Sequence, residues 1–382
     1  MPSVLPGLLP LLLVLPPSAP TPAARPQEVR GLWVVRTGLF SPETVDQVVD
    51  RARAGGFNTL FVQVRGRGDA FYASKIVARS PLLAGQPADF DPFARLLDRA
   101  KAAGIEVHAW VNVLLTSHFP SPARDNVVSL HPGWVMVPRS AARRTLPTDP
   151  QGLLWLVRQA SRTDNDVEGF YISPSSAEVQ QHLEAVVREI VRQYPVAGLH
   201  LDFIRYPNPE YDWSLVALEG FRRQQGGVGD LLTLPLQRPD AWEQYRRGVL
   251  TSLAERLSSA ARSERPGIVV SAAVVPDEAT AVHHRYQDWP AWLSRGILDA
   301  VCPMTYTPDT RIFRQQVEAA QARAKPGQRV WAGVGAYRLP IDDVVEKIAT
   351  ARQAGAAGVV LFSHESLPAA SLRRLATEVF TP

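Results

Sequence analysis

The 382-residue chain holds a single cysteine, Cys302. One thiol excludes any disulfide within the chain and any zinc site built on paired cysteines. In the apolar run LDAVCPMTY it reads as a small core residue. Lysine is also scarce: Lys75, Lys101, Lys325 and Lys347 are the whole set. Arginine supplies the remaining positive charge and nowhere forms a dense run, so the net charge of +4 is that of a solvated surface and argues against a nucleic-acid partner. Long hydrophobic runs are missing too. The stretch Leu8 to Leu15 is too short, and too close to prolines, to span a bilayer. It lies within residues 1–26 and is followed by small residues and prolines up to Ala24, the pattern of an export signal cleaved near Ala23 or Ala24. A positive n-region is lacking, and a disordered N-terminus is the competing reading. No cysteine follows for lipid attachment. The expectation is an exported protein, periplasmic or extracellular, with no stable membrane insertion.

A glycine-rich phosphate loop is absent as well. The first strand-like run leads into TGLFSPET, and RGRGD after the second has two glycines but no helix behind it. That speaks against a doubly wound nucleotide-binding sheet. What is present is a repeating grammar of helix, glycine, then short apolar strand. Strands are expected at Gly31–Arg36, Thr59–Arg65, Val107–Val113, Gly198–Ile204, Ile268–Val275, Asp299–Tyr306, Arg329–Ala336 and Gly358–Ser363. Each is nearly continuous in apolar character, as parallel strands covered on both faces must be. Helical patterns separate them. Ser41 and Pro42 mark one start, and Val179, Leu183, Val186, Val187 and Ile190 share one helix face. Eight strand-then-helix units predict an α/β fold, a (β/α)8 TIM barrel in one domain over residues 27–382. Two connections are long, 114–176 after the third strand and 205–240 after the fourth.

In such barrels, polar residues at the C-terminal ends of strands carry the chemistry. Strand alternation puts His200, Asp202 and Ile204 on one face, His108, Trp110 and Asn112 on another, and Gln63 with Arg65 on a third, Asp69 lying just beyond. The fifth strand ends at Asp277 and Glu278, the sixth at Tyr306 and Asp309. Paired carboxylates, amides, arginines and aromatic faces are the inventory of a glycosidase, which needs two acids flanking an oxocarbenium-like transition state. Asp202 leads, because a carboxylate in an apolar strand is costly without a purpose; the competing reading is a structural acid paired with Arg205. Asp309, Asp277 and Glu278 each follow a proline and compete with turn formation. His108 and His200 read as hydrogen-bonded barrel-interior residues. A metal site is not expected: His200 and Asp202 share a face, but no further His or Cys cluster completes a ligand set.

With these residues in place, the chain resembles the glycosyl hydrolase-like 10 family of bacterial barrels. The likeness runs over about residues 28 to 370, through RGLWVV, GFNTLFVQVRGRGDAFYASK, GIEVHAWVNV, the stretch from YISPSSAEVQQHLEAVV to VAGLHLDFIRYP, YQDWPAWLSRGILDAVCPMTY and GVVLFS. The family pattern places Asp-Gly before the fourth strand and Asp-Tyr-Ile-Arg-Tyr-Pro at its end. Here Ala197 and Phe203 depart from it, while Asp202, Arg205, Tyr206 and Pro207 are kept. The resemblance implies hydrolysis of O-glycosidic bonds in a polysaccharide, with bacterial cell-wall glycan as a plausible substrate; no cofactor is expected. It fixes no catalytic pair.

The resulting expectation is a glycoside hydrolase with Asp202 as the first catalytic carboxylate, Asp309 as the second, and Asp277 and Glu278 in reserve. Arg65, Asp69, Asn112, Arg205 and Tyr306 are expected to position sugar hydroxyls, and Trp110, Tyr206 and Trp213 to stack on rings. Two other function classes stay open: a carbohydrate-binding barrel without chemistry, and a metal-dependent hydrolase such as a polysaccharide deacetylase. The sugar, the linkage, the stereochemical course and the oligomeric state are not written in the sequence.

Overall fold

The apolar runs pair side by side until the sheet closes. The computed structural model describes residues 28–119, 122–145, 150–162, 164 and 166–381; the expected export signal lies outside them. In chain order the strands are β1 (Val29–Val34), β2 (Thr59–Arg65), β3 (Glu106–Asn112), β4 (Leu115–His118), β5 (Gly169–Tyr171), β6 (Gly198–Asp202), β7 (Val269–Val274), β8 (Ala300–Pro303), β9 (Arg329–Val334) and β10 (Gly358–Leu361). Eight of them form a closed barrel in the order β1-β10-β9-β8-β7-β6-β3-β2, with every neighbouring pair parallel. Those eight are the eight expected from sequence. β4 and β5 form a separate antiparallel pair in the long connection after β3. That connection and the one after β6 also hold helices, Pro150–Ser161 and Leu215–Gln224, that the sequence pattern did not bring out.

The helices start where their chemistry predicts. Ser41 and Thr44 form a reciprocal cap ahead of Pro42–Ala54, and Asp91 accepts from Phe93 N–H and Ala94 N–H ahead of Pro92–Ala102. Helix Ala177–Gln193 turns Val179, Leu183, Val186, Val187 and Ile190 onto the barrel. Apolar side chains therefore fill the layer between helices and sheet, while a second cluster around Trp33, Phe61, Trp110, Cys302, Trp331 and Val360 fills the lumen. No helix among the described residues is long and apolar enough to cross a membrane.

Inward-facing positions stack in layers. On β6 these are Gly198, His200 and Asp202. Gly198 has no room for a side chain, since a Cβ there would lie 2.2 Å from Nδ1 of His108. The histidine ring thus occupies the space that the glycine leaves. Gly198→Ala is expected to displace His108 and destabilise the fold by about 1–3 kcal/mol, read as a lower urea midpoint at unchanged m-value.

One strand breaks its own alternation. β2 pairs with β3 as Gln63 to Trp110 and then Arg65 to Val111, a shift of one residue. The extra residue is a β-bulge. Gln63 keeps its inward face, but Arg65 turns with Val111 away from the lumen.

Candidate active site

A cavity of about 260 Å³ opens at the C-terminal end of the barrel. Trp33, Trp110, Tyr306 and Phe362 line it with aromatic surface; Arg36, Gln63, Asn112, His118, Asp202 and Arg205 supply the polar groups. The aromatic rings brace one another. Trp33 meets Tyr306 edge-on at 6.2 Å and Phe362 at 6.0 Å, and Tyr306 lies 5.8 Å from Phe362. Such a wall suits the apolar face of a pyranose ring.

Asp202 is the last residue of β6 and is 6% exposed. It accepts from the N–H of Phe203 at 2.6 Å and from Arg205 Nη1 at 3.1 Å. Burial pushes its carboxyl above the ordinary range, against the opposing charge of Arg205, the Phe203 N–H and the indole N–H of Trp110. Phe203 has φ +50°, the left-handed region that a bulky residue rarely enters. That turn folds the chain back on Asp202 and places the Phe203 ring 4.1 Å from the Arg205 guanidinium carbon. A strained aromatic thus holds the arginine that holds the acid.

Beneath Asp202, Trp33 Nε1 donates to His200 Nε2 at 3.2 Å, and the other ring nitrogen of His200 bonds Ser271 Oγ at 2.9 Å. His200 is satisfied inside the barrel, as the sequence reading expected. Burial depresses both His108 and His200 to about 3. Both stay neutral in the folded state, while an unfolded chain protonates near 6.5. Folding stability is therefore expected to fall as pH drops from about 6.5 towards 3, because the unfolded state binds the extra protons. Urea unfolding at pH 7 and pH 5 reads this directly: a higher midpoint at pH 5 would contradict it.

The structure divides the other expected site residues. Trp110, Asn112, Arg205 and Tyr306 line the cavity with Asp202. Asn112 is committed to scaffolding: it accepts from Trp110 Nε1 at 2.9 Å and donates to the Gly66 carbonyl at 2.7 Å. Arg65, expected beside Gln63, is instead fully buried behind β3, where it donates to the carbonyls of Asn112 and Val113. The bulge in β2 is the reason. Asp69 lies in a neighbouring cavity, accepting from Arg67 N–H at 2.9 Å and Ser80 Oγ at 2.6 Å.

Tyr206 and Trp213, expected as sugar platforms, are buried within the connection after β6. Tyr206 packs edge-on against Tyr286 at 5.3 Å, and Trp213 against Trp242 at 5.9 Å. The buried Arg246 stacks on Trp242 and Tyr286 and donates to the carbonyls of Pro209 and Tyr211. These aromatics shape the connection rather than the cavity.

The three further acids sit outside the cavity. Asp309 caps helix Thr310–Gln321, accepting from Arg311 N–H and Ile312 N–H, bonds that hold its carboxyl below the ordinary range. Asp277 accepts from the N–H and hydroxyl of Thr280. Glu278 forms a two-pronged pair with Arg323 at 2.9 and 3.0 Å. Among the described residues Asp202 is the one carboxylate lining this cavity.

Several lining groups escaped the sequence reading. Phe362 and Phe203 look like core residues, and His118 belongs to β4, which no pattern announced. Glu168, exposed beside β5, accepts from the Tyr171 hydroxyl, and its charge reaches Arg205. It stands in a polar stretch with no periodicity to single it out.

The profile of the family described as glycosyl hydrolase-like 10 matches residues 28–347. The chain belongs to that family. The chain is 26% identical to Glycosyl hydrolase DigH of Escherichia coli strain K12 over 371 residues, covering 86% of this chain and 78% of the relative. Glycosyl hydrolase YngK of Bacillus subtilis strain 168 is 20% identical, over 73% of this chain and 54% of that protein. Among solved structures, the glycoside hydrolase domain of PgaB (BpsB) from Bordetella bronchiseptica superposes with a TM-score of 0.68 at 15% identity, covering 92% of this chain and 99% of that one. At that identity the likeness is one of fold. Carbohydrate is the substrate class that family membership implies for this chain.

Proposed function

We propose that the protein hydrolyses O-glycosidic bonds in a polysaccharide, with Asp202 as the general acid and glycan of the bacterial cell wall as the substrate. The observation that carries this reading is the state of Asp202: a buried carboxyl at the barrel mouth, held by Arg205 and the Phe203 N–H, with its proton affinity raised by burial. A carboxyl tuned upwards can donate a proton to a leaving-group oxygen near neutral pH. The aromatic wall would seat the ring whose bond is cut. Export through the N-terminal segment would bring the protein to such a substrate.

One observation favours a second reading, a carbohydrate-binding barrel without chemistry: no other carboxylate among the described residues lines the cavity. Hydrolysis by paired carboxylates calls for a second acid within about 5–9.5 Å of the first. A metal-dependent deacetylase has less support. His200 spends both ring nitrogens on Trp33 and Ser271, and among the described residues no three His, Cys, Asp or Glu side chains converge.

The deciding experiment is incubation with purified peptidoglycan, intact or stripped of its peptides, and with a panel of neutral polysaccharides. Mass spectrometry then identifies the released products. New reducing ends, unchanged by a chelator, are the expected result. Binding without product favours the second reading, and loss of acetyl groups with intact chains favours the deacetylase.

A further inference from the structure

A second cavity of about 350 Å³ adjoins the first. His118 lines both. The backbone is continuous across the junction too, since Gly66 lines the central cavity and Arg67 and Gly68 the outer one. Each cavity brings an arginine to this junction, Arg36 to the central one and Arg67 to the outer one. Arg36 enters from the central side, with its stem against Gly66, where a Cβ would lie 3.1 Å from Arg36 Cδ. Arg67 enters from the outer side. The loop that presents it is fixed by Asn112 donating to the Gly66 carbonyl at 2.7 Å and Asn126 donating to the Arg67 carbonyl at 2.8 Å.

Neither arginine has a carboxylate within ion-pair distance among the described residues. Arg36 Nη1 donates to Gln63 Oε1 at 3.1 Å, and the Nε atoms of both arginines are buried without a partner. An unsatisfied buried donor is costly, more so when charged. The charge felt most strongly by Arg36 is that of Arg67, ahead of Asp69 and Glu365. Two like charges, one following β1 and one following β2, thus act on each other at the junction. His118 lines both cavities and feels both charges. Its Nδ1 lies 2.7 Å from the Glu168 carbonyl and must donate there, and burial lowers its proton affinity. The ring therefore offers Nε2 as an acceptor for a hydroxyl.

We propose that this junction binds a carboxylate carried by the saccharide next to the one seated in the central cavity, with Arg36 and Arg67 as its donors. The substrate is then an anionic glycan. Planar guanidinium groups match a carboxylate in shape as well as charge. Asp69 in the outer cavity, and Glu365 near Arg36, offset part of the positive charge, so the junction suits a monoanion better than a phosphate dianion. The proposal rests on the reading of the protein as a glycan-binding barrel and adds the chemical class of the glycan.

The test compares oligosaccharides with their carboxyl-reduced twins, in which each carboxylate has become an alcohol. One pair comes from peptide-stripped cell-wall glycan, whose carboxylate is a lactyl ether; the other is an oligouronate, whose carboxylate is on the ring. Binding is measured by calorimetry on full-length Asp202→Asn protein, so that turnover does not intervene. The carboxylated member of one pair is expected to bind about ten- to a hundredfold tighter than its twin, the value of one or two charge-assisted hydrogen bonds. The pair that shows the preference identifies the source. Arg36→Gln and Arg67→Gln should each pull the ratio towards one, and Arg36→Lys should retain part of it. Because each ratio is taken within one protein, a general loss of folding cannot mimic the result. Equal affinities within both pairs, no binding of either, or a preference that survives both glutamine variants would overturn the proposal. Product formation on neutral glycans alone would overturn it while leaving the hydrolase reading intact; a carboxylate preference without turnover would do the reverse.

Discussion

Asp202→Asn is expected to lower glycan hydrolysis by about a hundred- to ten-thousandfold, the usual contribution of a positioned general acid. The amide keeps the shape of the carboxyl and still accepts from Phe203 N–H and Arg205, so glycan binding should survive. Turnover measured by reducing-end release, with affinity measured calorimetrically on the same preparation, separates the two quantities. Unchanged turnover would remove Asp202 from the chemistry. Lost binding together with lost turnover would mean that the residue holds the cavity in shape. The exchange also removes the negative charge that Arg205 faces, so a modest loss of stability should accompany it.

The second large effect belongs to Arg205. Arg205→Gln removes the strongest influence opposing burial at Asp202, so the carboxyl should hold its proton to still higher pH. If Asp202 is the general acid, the alkaline limb of the kcat/KM profile moves up. Were it the nucleophile, the acidic limb would move up instead and activity at neutral pH would fall. The pH profile therefore reports the role as well as the interaction. Stability should respond with a definite sign. The variant leaves a buried carboxylate without its cation, a loss of about 3 kcal/mol when that group is ionised. Its folded-state proton affinity lies above that of the unfolded chain, so the penalty vanishes at acidic pH and grows as pH rises through the shifted value. Denaturant melts of both proteins from pH 4 to pH 8 would show the curves converging at the acid end; parallel curves would mean that Arg205 acts through its packing on Phe203 alone.

Much of this architecture is legible in the sequence, for a physical reason. Barrel strands are covered on both faces, so each reads as a short apolar run, and the helices between them carry caps such as Ser41 and Asp91 that mark their starts. Asp202 and Arg205 stand out because charge at the end of such a run demands a partner or a task. The rest depends on contacts distant in sequence. Tyr206 and Trp213 look like exposed platforms until helix Pro239–Glu264 brings Trp242 against Trp213 and the segment after β7 brings Tyr286 against Tyr206. Asp309 reads in sequence as either a turn residue or a catalytic acid; an aspartate before a helical pattern is also a cap, and the structure realises the cap. The short β4–β5 pair has no amphipathic period long enough to read. Its existence brings His118 to the junction of the two cavities.

The slip between β2 and β3 carries a consequence for the rim. Val64 and Arg65 together face the span that Val111 occupies on the neighbouring strand. Without the slip, Val64 alone would face Val111 and Arg65 would face Asn112, which would swing a guanidinium into the lumen without altering any amino acid. In this part of the rim, the groups shown to a ligand are set by strand register as well as by the identity of the side chains.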